Sequence, residues 1–194
     1  MIAAALLACA VNVAPVTLEA IIRVESSGNP MALFVNHWNG PQPRPTTVVE
    51  AAREAERFIQ RGYSVDIGLM QVNSRNLAVL GYTVEQVLDP CTNLKGGASI
   101  LTANYAEAVR VHGEGQSALR AALSAYNTGN FYRGFANGYV AKYYGPDGVP
   151  ALARGELQAV VTAAAVKRAA PPPPNPYTAE TQIYVRETMN VRIQ

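Results

Sequence analysis

Apolar positions at Leu18, Ile21 and Ile22 fall three and four residues apart, the spacing that gathers them on one face of a helix. Thr17 offers an N-cap in front of them, and Ser26-Ser27-Gly28-Asn29-Pro30 supplies the stop. Pro41, Pro43 and Pro45 then favour extended backbone. Thr47-Val48-Val49-Glu50 is a capping-box pattern that opens a second helix, with Val48, Ala52, Ala55 and Ile59 on one face and Gly62 ending it. Residues 64–68 read as a short connection into Leu69-Met70-Gln71-Val72. Short helices are predicted over residues 74–80 and 84–88, split by Gly81. A longer one fits residues 92–111, where Leu94, Ala98, Leu101, Tyr105 and Ala108 keep helical spacing. Ser117 caps a further helix through Tyr126, which stops at Asn127-Thr128-Gly129. Residues 134–145, rich in Tyr and Gly, read as a loop with one short helix, and residues 152–168 as an Ala-rich helix. The pattern is that of a mostly α-helical domain.

The two ends of the chain depart from it. Residues 1–14 are apolar and carry no Lys or Arg, so residues 1–8 are at most the remnant of a signal peptide. Leu6-Leu7-Ala8-Cys9 also has the look of a lipoprotein cleavage box. Cys9 therefore has three readings: a lipid-anchor site, a free buried thiol, or half of a disulfide with Cys91, whose long loop would be worth ~4 kcal/mol. At the other end, Ala169-Ala170-Pro171-Pro172-Pro173-Pro174-Asn175-Pro176 is a stiff polyproline linker. Ile183, Val185, Met189, Val191 and Ile193 beyond it mostly alternate with polar residues. That segment is read as a disordered tail, or as an edge strand added to a partner protein. The expected division is residues 1–8, a domain at 9–168, and a linker and tail at 169–194.

Composition narrows the chemistry. Of 194 residues, 49% are apolar, enough to build a core, and 16 Lys+Arg against 14 Asp+Glu leave a net charge of +2. So small an excess gives no footprint for nucleic acid. No apolar run reaches the roughly 18 residues of a membrane span. Cys9, His37, Cys91 and His112 match no zinc spacing, so no metal is expected. Dinucleotide, nucleotide-triphosphate, zinc-protease and serine-hydrolase motifs are missing, and no cofactor is expected.

Glu25 is the most informative position. It lies at i+7 from Leu18 and continues the apolar face of the first helix up to the Gly/Pro break. Desolvation there, and the negative end of the helix dipole, would raise its pKa toward that of a general acid. The plainer alternative is a Glu turned outward at a frayed end. A general acid suits glycoside cleavage, where the leaving oxygen must be protonated, but the common schemes need a second carboxylate. Asp66, beside Gly68, is the candidate, with a loop or capping role as its alternative. One strong acid without a clear partner points away from ordinary hydrolysis.

Four motifs then stand in order: Glu25-Ser26 at a helix end, Gly68-Leu69-Met70-Gln71, Asn93-Leu94-Lys95-Gly96-Gly97, and Ala125-Tyr126-Asn127 followed by Gly129. Together they resemble the soluble lytic transglycosylases, whose catalytic domain is similar to goose-type lysozyme. Cys9 ahead of the first helix, Asp89-Pro90-Cys91-Thr92-Asn93-Leu94, and the long stretch from Ser26 to Gly68 with its own helix resemble more closely the lytic transglycosylases of type IV secretion systems. The resemblance spans residues 7–145. It implies a lysozyme-like fold with an extra helix between the catalytic Glu and the Gly-Leu-Met-Gln motif, and a Cys9–Cys91 disulfide. It implies Glu25 as acid and then base, cleaving the β-1,4 bond between N-acetylmuramic acid and N-acetylglucosamine to leave a 1,6-anhydro sugar. Ser26 would shape the site, Gly68, Met70 and Gln71 would line the glycan groove, Tyr126 would stand against Glu25, and Asn127 would contact substrate. Asn93 and Gly97 are expected to pack and cap, and Tyr139, Tyr143 and Tyr144 to form either a sugar-stacking wall or core. The expected setting is the periplasm or cell envelope. The expected partners are peptidoglycan strands and, through the tail, components of a secretion apparatus. A lysozyme-type hydrolase and a glycan-binding scaffold subunit are the competing readings.

Overall fold

The computed structural model describes residues 4–144; the expected helix at 152–168, the Pro-rich linker and the tail lie outside the described residues. Helix α1 (Ala4–Leu7) runs through a 3-10 turn (Ala8–Ala10) toward α2 (Pro15–Ser26). Helix α2 starts before the expected Thr17. Pro15 sits in its first turn, where the missing N–H costs no hydrogen bond, and Thr17 is buried instead of capping. Leu18, Ile21 and Ile22 are fully buried, each worth about 2 kcal/mol of apolar burial. The left-handed Ser27 closes the helix, its N–H returning to the Arg23 carbonyl.

The extra helix α3 (Val48–Gln60) is capped by Thr47, whose side chain accepts from the Glu50 N–H. Glu50 reaches back chiefly to the N–H and hydroxyl of Thr46, and these bonds hold its carboxyl below the usual range. The buried face is Ala51, Ala55 and Phe58, turned by about one residue from the expected Val48–Ile59 stripe, and Val48 is exposed. Phe58 decides this, because its ring closes an edge-to-face cluster with Trp38 and Tyr63.

Three short strands went unseen in the sequence: β1 (Leu33–Val35), β2 (Val65–Ile67) and β3 (Val72–Asn73), in antiparallel order β1-β2-β3. Leu33 opposes Ile67, and Asp66 faces Phe34 on one side and Asn73 on the other. Gln42 bonds both the N–H and the C=O of Val35, satisfying the open edge of β1 as a strand would.

After β3, a 3-10 turn (Ser74–Asn76) leads into α4 (Leu77–Leu80), then α5 (Val84–Leu88) with a complete Thr83/Gln86 capping box. Helix α6 (Pro90–His112) starts under the cap of Asp89, and α7 (Gln116–Thr128) packs along it. Gly115 rather than Ser117 sits at the N-cap of α7, and two short helices follow, α8 (Arg133–Ala136) and α9 (Ala141–Tyr144). Cys9 and Cys91 form a disulfide that ties the turn before α2 to the first turn of α6. Both sulfurs are consumed in it, so the free-thiol and lipid-anchor readings of Cys9 fall. Among the described residues no single helix is long and apolar enough to cross a membrane.

Candidate active site

Glu25 ends α2 half-buried, and the phenol of Tyr139 donates to its Oε1 at 2.5 Å. Tyr139 is buried between α8 and α9. Burial first, then the Glu25 charge and the neighbouring Tyr143, push its phenol well above the ordinary value of 10.0. At neutral pH it is a hydroxyl with a proton to donate. The loop that carries it is fixed by Asn137. The Asn137 side chain accepts from the Tyr139 N–H at 3.0 Å and donates to Asn127 Oδ1 at 3.2 Å. Asn127 thus links the end of α7 to the partner of Glu25.

The Tyr126 hydroxyl donates to the Met70 carbonyl at 2.7 Å. That bond anchors the turn between β2 and β3. Asn93 anchors it from the other side: its Oδ1 accepts from the Met70 N–H, and its Nδ2 donates to the carbonyls of Ile67 and Val87. Gly68 is required here twice over. Its φ is +76°, and a Cβ would come within 2.3 Å of Asn93 Nδ2. Gly97 leaves room for Met70, to which an added Cβ would approach within 2.7 Å. The two motifs therefore interlock as one packing unit, in which Asn93 and Gly97 pack as expected.

Met70 departs from expectation. It is fully buried and packs under Gly97 instead of lining a groove. Gln71 holds a left-handed φ of 50°, unusual for a non-glycine residue, and its side-chain amide donates to the carbonyls of Gly68 and Ala32. Ala32 also accepts from the Gly68 N–H at 2.8 Å, which joins the turn to the segment that follows α2. Ser26 donates to the Ile22 carbonyl and accepts from the Gly28 N–H, finishing the helix that presents Glu25.

Asp66 is only 1% exposed and accepts from Asn36 at 3.1 Å and Asn73 at 2.7 Å. It lies in strand β2 and is bonded by two side-chain amides, so the loop or capping role given as its alternative does not describe it either. Of the three expected wall tyrosines, Tyr139 and Tyr143 are buried, and Tyr144 bonds Gln116 beneath the Arg120 guanidinium. Burial pushes the Tyr144 phenol up to about 12. None of them is an open stacking surface. The partner role of Tyr139 was missed in the sequence; its only signal was a Tyr four residues from another in a Gly-rich segment. His112 packs edge-on to Phe131 and Tyr132, and no cluster of three metal-ligating side chains exists among the described residues.

A mostly helical fold that presents one half-buried glutamate at the end of a buried helix, with a glycine-pinned turn held by Asn93 and Tyr126, defines the class. Residues 4–144 match the transglycosylase SLT domain, and the chain belongs to that family. Among its relatives, it is 47% identical over 140 residues to protein virB1 of Agrobacterium fabrum, covering 69% of this chain and 54% of that protein. It is 44% identical over 129 residues to the type IV secretion system protein virB1 of Brucella abortus, covering 66% and 53%. The chain thus spans about half the length of the curated relatives it matches. No solved structure matches it.

Proposed function

We propose that the chain is a peptidoglycan lytic transglycosylase that opens the cell wall for a type IV secretion apparatus, acting in the periplasm or envelope. The observation that carries this is the pairing of one half-buried carboxyl, Glu25, with a phenol donor, while the other candidate carboxylate, Asp66, is sealed in the sheet. Membership of the SLT family and the virB1 relatives support the substrate class and the setting.

In this reaction Glu25 gives its proton to the glycosidic oxygen as the bond from C1 of N-acetylmuramic acid to that oxygen breaks. N-acetylglucosamine leaves with a free 4-hydroxyl. Glu25, now a carboxylate, takes the proton of the muramic acid 6-hydroxyl as that oxygen bonds C1. The product is a 1,6-anhydro sugar, no water is consumed, and Glu25 ends protonated. Tyr139 orients the carboxyl throughout. The turn bearing Gly68, Met70 and Gln71, with Ser26, Tyr126 and Asn127, forms the frame around it, in which Gly68 and Gln71 flank the glycan. The Pro-rich segment at 169–194 carries the contacts to secretion components, beyond a catalytic unit ending at residue 168.

A hydrolase using the same Glu25 would need a group to hold water, and the burial of Asp66, the carboxylate proposed for that task, favours the non-hydrolytic reading. Mass spectrometry of soluble products from purified peptidoglycan tests the assignment. Muropeptides lighter by one water, released by the wild type and lost in Glu25→Gln, are expected. Ordinary reducing ends would establish the hydrolase instead, and bound but uncleaved glycan would establish the scaffold.

A further inference from the structure

The hydroxyl on Glu25 is itself held by another. Tyr143 lies one helical turn beyond Tyr139, with ring centroids 5.3 Å apart in an edge-to-face arrangement and hydroxyl oxygens 2.7 Å apart. Its relative exposure is 0%, the largest side chain so completely buried among the described residues. A phenol in that position spends burial on a polar atom, where a Phe would fill the same space without the desolvation. The hydroxyl therefore needs a use, and it touches the donor of the Glu25 bond.

Tyr139 has one proton and a C–O bond about which that proton rotates. A second hydroxyl donating to its oxygen leaves the proton a single good acceptor, Oε1 of Glu25, and strengthens it as a donor. With Oε1 occupied, the reactive proton of Glu25 is carried on Oε2. Lys142 stands near the pair, its Nζ 5.7 Å from the Tyr139 ring centre. Tyr144, the other phenol of α9, is engaged elsewhere, with Gln116.

We propose that Tyr143 is a positioning residue of the reaction, acting through Tyr139 to fix which oxygen of Glu25 carries the catalytic proton. Its effect on Glu25 is transmitted by the hydroxyl contact with Tyr139. This role rests on Glu25 being the acid and base.

The test is a double-mutant cycle on the 194-residue chain, with kcat and KM measured on purified glycan strands for Tyr143→Phe, Tyr139→Phe and the pair, each normalised to folded protein. Tyr143→Phe keeps the ring and removes only the hydroxyl. Its kcat is expected to fall about threefold to tenfold with KM unchanged, the rate equivalent of one hydrogen bond. In the Tyr139→Phe background the same change is expected to cost nothing further. Wild-type kcat in Tyr143→Phe, or an equal loss in both backgrounds, overturns the proposal, the second outcome being that of packing alone. Glu25→Gln is measured beside them. If it is inactive, either of those results overturns the role of Tyr143 alone; if it stays active, the assignment of Glu25 falls and the role of Tyr143 with it.

Discussion

Glu25, Gly68 and Asn93 carry the most consequence per atom. Replacing Glu25 with Gln removes the transferable proton and keeps the shape, so turnover is expected to drop at least about 100-fold with stability unchanged, read by muropeptide release and thermal unfolding. Gly68→Ala forces a side chain into left-handed backbone and against Asn93 Nδ2 at 2.3 Å. A loss of about 3 kcal/mol in denaturant unfolding is expected, and, on the proposed role of this turn in flanking the glycan, activity is expected to fall in parallel. At this scale the sequence was legible where a residue type is chemically irreplaceable. Glu25 stood out because a carboxyl continued an apolar stripe. Met70 and Tyr126 were harder to read: a thioether and a phenol serve equally well in a groove or in a core, and only their packing tells which.

Among the elements, the tie between the turn before α2 and the start of α6 is the strongest local constraint. The Cys9–Cys91 bridge closes a sequence separation of 82 residues, a reduction of unfolded-state freedom of about 4 kcal/mol in the chain-entropy model. The double Cys9→Ser, Cys91→Ser variant is expected to lose about 2–4 kcal/mol of unfolding free energy, and reducing agent is expected to lower the wild type toward it. Thr47→Ala is expected to cost about 1 kcal/mol through the lost cap of α3, measured the same way. Long helices were readable because their period repeats several times, as in α6 and α7. The strands were not: three residues in β1 and two in β3 hold too few repeats to show an alternation. The α3 face was misplaced because periodicity treats Val48 and Phe58 alike, whereas the larger ring gains more from burial.

Across the whole molecule, the buried phenols link stability to alkaline pH. Tyr139 is held well above 10.0, so below that value it is neutral in both folded and unfolded chains and its contribution is fully present. As pH rises past 10, the unfolded chain loses the proton and the folded one keeps it, so stability falls. Tyr144, pushed up to about 12, adds to the same loss. Denaturant midpoints on either side of pH 10 are expected to drop steeply for the wild type and less for Tyr139→Phe.

The sequence by itself determined the helical class, the glutamate at the end of the first buried helix, and the order of the four motifs. Each is written in residue types whose chemistry or period acts locally: a carboxyl on an apolar stripe, a cap, a glycine break. Only the tertiary structure decided that Tyr139 meets Glu25, that Asp66 is sealed between Asn36 and Asn73, and that Met70 lies under Gly97. Most of these outcomes pair residues distant in the chain, 114 positions apart for Glu25 and Tyr139 and 30 for Asn36 and Asp66. Their partners are chosen by how α2 meets the segment from α8 to α9, how the strands pair, and how the turn after β2 packs on α6, which no local pattern encodes.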